Sequence, residues 1–206
     1  MAKVIAVVNQ KGGVGKTTTS VNLAAYLAHL GREVLLVDLD PQANATSGAG
    51  IEHAKLPHGI YEALLGEKSI LEIIKRTKEP RFRVAPATEA LAGAGVELVA
   101  MADREYRLHD ILEEAKGEYD YIIVDSPPSL GLLTINSLVA ADEILIPVQS
   151  EYYALEGLGQ LINSIGLVQA NLKPNLTILG AVITMYDKRN SLSTQVMNEL
   201  YKYFPN

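Results

Sequence analysis

The 206-residue sequence contains no cysteine. Disulfides, thiolate metal sites and iron–sulfur clusters are therefore excluded as sources of stability or chemistry. Long apolar runs are missing too, and nothing approaches the ~20 consecutive apolar residues that cross a bilayer. The chain enters a strand pattern almost at once, without a charged-then-apolar leader, so a cytoplasmic address is expected. There is no surplus of positive charge: 18 Lys and Arg stand against 24 Asp and Glu, for a net charge of −6. Bulk electrostatics thus does not advertise a nucleic-acid partner, and any DNA contact has to come from a local basic patch or from a surface assembled by a dimer. Repeats, low-complexity tracts and Pro/Ser-rich linkers are absent as well. The length suits one domain spanning 1–206.

What is present begins with residues 4–8, an apolar β-like run, followed by Gln10-Lys11-Gly12-Gly13-Val14-Gly15-Lys16-Thr17-Thr18 and a helical pattern over 18–30. Strand, glycine-rich turn and helix is the context a phosphate-binding loop requires. Glycines let backbone N–H groups turn inward around phosphate oxygens, and the helix N-terminus adds donors and a positive dipole end. Lys16 is placed to reach the β- and γ-phosphates of a bound nucleotide, and the Thr17 hydroxyl to ligate Mg²⁺. The pattern G-x-x-x-x-G-K-[ST] is met except at its first glycine, where Gln10 stands, followed by an additional Lys11. A solvated Gly/Lys-rich turn is the plainer alternative, and the strand, the spacing and the Lys16-Thr17 pair weigh against it.

Along the chain, continuous apolar runs at 33–37, 119–124 and 143–148 read as buried parallel strands. Shorter or less regular strands are expected at 81–86 and 177–184. Helices are expected over 59–74 with an interruption near Gly66, and over 89–102, 105–115, 132–140, 155–170 and 193–204. Residues 43–50, small and polar, read as a loop able to move. Strands alternating with helices imply an α/β fold, a mainly parallel, doubly wound sheet with helices on both faces.

Two carboxylate segments end such strands, where open α/β sheets bind ligands. Asp125 lies at the tip of the 119–124 strand, placed to hold Mg²⁺ through a water; its plainer reading is a turn or helix-capping aspartate. Asp40, in Asp38-Leu39-Asp40-Pro41-Gln42, is expected one strand from the phosphate loop, where a carboxylate orients or deprotonates the water that attacks the γ-phosphate. Asp38 is read as an anchor of that loop through hydrogen bonds. Lys188 and Arg189, in a loop after the 177–184 strand, are either a solvated turn or sequence-independent contacts to DNA phosphates.

Lys11-Gly12-Gly13-Val14-Gly15-Lys16-Thr17-Thr18 resembles the deviant Walker A loop of the ParA/MinD ATPases. The segments Asp38 to Thr46, Asp125-Ser126-Pro127-Pro128-Ser129-Leu130-Gly131 and Pro147 to Gly157 resemble the ParA/Soj partitioning branch more closely, and the likeness runs from Lys3 to about Phe204. The resemblance implies a P-loop NTPase in which residues 11–18 bind ATP, Lys11 reaches across a homodimer to the partner's ATP, and Asp40 and Lys11 act in hydrolysis. It further implies Mg²⁺ on Thr17 and Asp125, non-specific double-stranded DNA on the ATP dimer with Lys188 and Arg189 among the contacts, a ParB/Spo0J-like activator, and a nucleoid-associated place in the cytoplasm. Relatives continue past the position of Asn206 with a strand and a helix that carry an adenine-contacting P-R-N segment and further basic residues. The alternatives are a MinD-like membrane-associated ATPase, which needs a basic amphipathic C-terminal helix, and a nucleotide-binding regulatory module without turnover. A tyrosine kinase sharing this loop is disfavoured, because the 10 tyrosines are scattered and not gathered in a tail.

Overall fold

In the computed structural model, which describes residues 1–151 and 154–204, the chain alternates strand and helix. It runs β1 (Lys3–Val7), α1 (Lys16–His29), β2 (Val34–Asp38), α2 (Asn44–Gly48), α3 (Ile60–Leu65) and α4 (Ile70–Ile73). It continues through β3 (Lys75–Arg76), β4 (Phe82–Ala85), α5 (Ala94–Glu97), α6 (Arg107–Glu113) and β5 (Tyr121–Asp125). Last come α7 (Leu132–Ala140), β6 (Glu143–Gln149), α8 (Ala154–Asn171), β7 (Thr177–Thr184) and α9 (Ser191–Tyr203). The described strands form one sheet in the order β3-β4-β2-β5-β1-β6-β7. All neighbours are parallel except β3 and β4.

Alternation along the central strands builds two apolar layers. Val4, Ala6 and Val8 face one layer with Leu35, Val37, Ile122 and Val124, while Ile5 and Val7 face the other with Val34, Leu36, Val84 and Ile123. Strands buried on both faces have no polar alternation, which explains the continuous apolar runs. The first layer is closed by residues of α3, α6, α7, α8 and α9, such as Ile60, Leu108, Leu138, Leu161 and Val196. The second is closed by α1 and α2 through Ala24, Ala28 and Ala45. The buried stripe of α1 is Lys16, Ser20, Ala24 and Ala28, one residue per turn. Its small members let the helix lie close on the sheet, so the turn that precedes it is held against the strand ends.

Two expected stretches differ. Within residues 43–50, expected as a loop, Asn44–Gly48 form the short helix α2, with Ala45 and Thr46 fully buried. Helix propensity there is poor, and tertiary hydrogen bonds to Asp38 supply what local sequence does not. The helix expected over 89–102 is broken into a 3-10 turn at Glu89–Gly93, the single turn α5 and a 3-10 turn at Leu98–Ala100. Gly93 and Gly95 weaken a continuous helix, and the segment still buries Leu91, Ala94 and Leu98. Over 59–74 the interruption is where it was expected: Gly66 ends α3 at φ 81°, and Ser69 caps α4. The short edge strand β3 carried no sequence signal. Strand β7 is a half-exposed edge with a register shift opposite Ile144 and Leu145.

Candidate nucleotide and metal site

After β5 the chain crosses to the other side of β1, so the crevice outside the C-terminal ends of β1 and its neighbours is the topological switch point. A recess of about 460 Å³ lies there. Of the residues expected to bind nucleotide, Gly12, Gly13, Gly15, Lys16, Thr17 and Thr18 line it, and Asp40 faces them. Gly13 and Gly15 adopt φ values of 75° and 86°, which L side chains rarely adopt. Val14 points away, 1% exposed, and its carbonyl accepts a hydrogen bond from the Thr184 hydroxyl at 2.8 Å, which anchors the loop to β7. Gln10, in the place of the missing glycine, ties the loop to α8 by donating from Nε2 to Gly157 O at 2.9 Å and Gln160 Oε1 at 3.0 Å. Asn9 holds the other side: its Nδ2 donates to Pro147 O at 2.7 Å and its Oδ1 accepts from Lys11 N at 3.0 Å.

Lys16 is 6% exposed, and its ammonium donates to the Lys11 carbonyl at 3.0 Å. Burial lowers its pKa, opposed by the charges of Asp125 and Asp40. Thr17 donates to Asp125 Oδ2 at 2.8 Å, and the Ser20 hydroxyl lies 2.8 Å from Asp125 Oδ1 and 3.0 Å from Lys16 O. Asp125 is fully buried, and burial pushes its pKa up to about 7 against the hydrogen bonds from Ser20 and Thr17, with the charges of Asp38 and Asp40 adding to the rise. Asp40 is 8% exposed and accepts from Gln42 N at 3.0 Å. Its strand, β2, is separated from β1 by β5, and the tips of β2 and β5 are in register, with Asp38 opposite Asp125.

The donor set at and just behind the recess fits Mg²⁺. Thr17 and Asp125 offer hard oxygen ligands in contact with each other. Among the described residues no group of three or more His, Asp or Glu makes a protein-only cation cage. A small divalent cation held by one or two side chains, water and phosphate oxygens suits such a set.

Lys11 is not brought into its own recess. Its ammonium pairs with Glu151 Oε2 at 2.7 Å, both side chains being partly exposed. Lys188 and Arg189 are exposed on the turn after β7, but Arg189 spends its guanidinium on Asp187, Nη2 to Oδ2 at 2.8 Å. That contact holds the Asp187 carboxyl below its ordinary range. Tyr152 and Tyr153, within the Pro147 to Gly157 segment, lie outside the described residues.

Sequence reasoning gave no role to Ser20, Gln42, Asn44 or Met185, although Gln42 and Asn44 stand in the Asp38 to Thr46 segment that carries the family resemblance. Ser20 was findable, since it stands one helical turn after Lys16 on the same face. The last three line the recess with Pro128. Met185 (φ 54°) and Ala43 (φ 52°), which stands between Gln42 and Asn44, are two of three non-glycine residues found at positive φ among the described residues. Strained backbone of this kind persists only where the surrounding structure holds it, and nothing in local sequence announces it.

Residues 2–178 match a family model described as an AAA domain. The chain is 57% identical over 204 residues to the sporulation initiation inhibitor protein Soj of Bacillus subtilis, covering 99% of this chain and 81% of that one. It is 53% identical over 204 residues to the chromosome partitioning protein ParA of Myxococcus xanthus, covering 99% and 72%. Among solved structures, a Mycobacterium smegmatis protein described as cobyrinic acid a,c-diamide synthase, with bound ADP and magnesium, superposes with TM-score 0.94 at 44% identity over 98% of this chain and 82% of that one. A Borrelia burgdorferi putative plasmid partition protein bound to AMPPNP superposes with TM-score 0.85 at 28% identity, covering 97% and 81%.

Proposed function

Because the chain belongs to the ParA/Soj family of chromosome-partitioning ATPases, we propose that it is a nucleotide-gated DNA-binding switch with residues 1–206 as one ATPase domain. The observation that carries the reading is the convergence of Lys16, Thr17 and Asp40 on the recess lined by the phosphate-loop glycines, with the buried Asp125 directly behind Thr17 and hydrogen-bonded to it. ATP lies against the phosphate loop, with backbone N–H groups and the Lys16 ammonium taking the β- and γ-phosphate charge. Thr17 and Asp125 would hold Mg²⁺, Asp125 through a water, and the ion would supply charge neutralisation at the phosphates. Asp40, two residues beyond the end of β2, orients the attacking water. Two subunits close face to face over their nucleotides, and each Lys11 leaves Glu151 to reach the partner's phosphates. The relatives crystallised with ADP and magnesium and with AMPPNP support the nucleotide and metal assignments.

In this reading the ATP dimer binds double-stranded DNA without sequence preference, with Lys188 and Arg189 among the phosphate contacts. Hydrolysis, stimulated by a ParB/Spo0J-like activator, releases it. The place of action is the nucleoid in the cytoplasm. Among the described residues no helix is long and apolar enough to cross a membrane. Within α9 itself the sole basic residue, Lys202, is paired with Glu199, so this helix carries no basic stripe for a membrane surface.

The test is retention of Asp40→Ala protein on non-specific double-stranded DNA. The proposal expects retention with ATP, none with ADP, and a steep loss as salt rises, because counterion release dominates phosphate binding. Equal retention with both nucleotides, or none with either, contradicts it.

A further inference from the structure

A hydrogen-bonded clamp behind the recess uses two side chains that the proposed chemistry leaves idle. Asp38, the last residue of β2, is fully buried. Its Oδ1 accepts from Asp40 N at 3.1 Å, and its Oδ2 accepts from both Thr46 N at 2.8 Å and the Thr46 hydroxyl at 2.7 Å. The Thr46 oxygen in turn accepts from Ala87 N at 3.0 Å. Thr46 is also fully buried. One continuous path thus runs from the chain just beyond β4, through α2, to the backbone that carries Asp40.

We infer that Thr46 is a positioning residue for hydrolysis, acting through Asp38 to set the backbone of Asp40 and the recess-lining turn before α2. The inference rests on the role of Asp40 proposed above. A buried carboxylate without a cation is a poor way to gain stability, since an apolar residue of similar size would serve as well. What this one does is geometric. Its two oxygens receive donors from opposite ends of the 38–46 segment, so the turn between them has a fixed span. That turn contains Ala43 at φ 52° and places Asp40, Gln42 and Asn44 at the recess. Thr46 is suited to complete the clamp because its one hydroxyl donates to Asp38 and accepts from Ala87 at the same time. Without it, Asp38 keeps only the two backbone donors, and the turn is free to shift. A misplacement of about 1 Å can cost 10²-fold in rate while leaving the phosphate loop untouched.

The experiment compares Thr46→Val, which keeps the shape and removes the hydroxyl, with Thr46→Ser, which keeps the hydroxyl. Steady-state ATP hydrolysis gives kcat and KM, and melting gives the folded fraction. Thr46→Val is expected to lower kcat by roughly 10- to 100-fold with KM for ATP changed less than about threefold, and Thr46→Ser to restore kcat. Thr46→Ala replaces Thr46→Val in the same comparison if the valine variant does not fold. A Thr46→Val kcat within about threefold of wild type, or equal impairment of Thr46→Ser, overturns the inference. Asp40→Ala measured alongside separates the two levels. Normal hydrolysis by Asp40→Ala removes the underlying assignment, whereas loss there with an active Thr46→Val removes only the positioning role.

Discussion

Asp125 is a carboxylate whose burial disfavours its charged form. Its pKa, pushed up to about 7, and that of Asp38, pushed up to about 6, both owe their rise first to burial. In the unfolded chain these groups titrate near their ordinary values. Between about pH 4 and pH 7 the folded protein therefore holds more protons than the unfolded one, and its stability declines as pH rises through that window. The nucleotide-free protein is expected to be more stable at pH 5 than at pH 7.5, with Asp125 accounting for a difference on the order of 2–4 kcal/mol. Asp125→Asn should flatten this dependence in urea melts taken across the range. A slope unchanged by the substitution would show that burial does not hold the Asp125 carboxyl protonated in that range. The same energetics favour the proposed function, because a divalent cation beside Asp125 stabilises its carboxylate and reverses the penalty of burial.

At the scale of elements, α1 decides whether the phosphate loop is held. Its contact stripe is made of small residues, and Ala24 is fully buried against the sheet beside Ser20 and Ala28. Ala24→Leu adds volume where none is available. It is expected to cost about 1–3 kcal/mol, read as a lower urea midpoint, and to weaken ATP binding by tilting the helix that carries Lys16 and Thr17. Full stability with full binding would show that α1 has room to move. This helix, the inner strands and the placement of Lys16, Thr17, Asp40 and Asp125 were legible in the sequence, because each rests on local pattern: apolar runs, glycine spacing, and acids at strand tips. Helix α2 was not. Its residues look like a loop, and what makes them helical is a carboxylate several residues earlier in the chain, Asp38, together with a left-handed Ala43. Met185 at the recess was hidden for the same reason, since its carbonyl is held by the Ser150 hydroxyl at 2.9 Å, a contact between residues distant in sequence.

For the whole molecule, the sheet order brings every part of the candidate site to one edge: the loop after β1, the carboxylates of β2 and β5, and the turn after β7 that carries both Met185 and the exposed pair Lys188 and Arg189. In the proposed dimer, Lys11 is the loop lysine that the fold leaves outside its own recess. Lys11 rests on Glu151 in an ion pair with side chains 36% and 50% exposed, and such pairs are worth about 0–1 kcal/mol. A contact that weak is readily exchanged for the charge of a triphosphate in a closed interface, so Lys11 is held in place without being trapped. The most direct measurement is the sedimentation of Asp40→Ala protein and of the Lys11→Ala, Asp40→Ala double variant, each with Mg²⁺ and either ATP or ADP. The account predicts a dimer for Asp40→Ala with ATP, a monomer with ADP, and a monomer for the double variant under both conditions. A double variant that still dimerises with ATP would contradict it, because Lys11 would then have no part in joining the two sites.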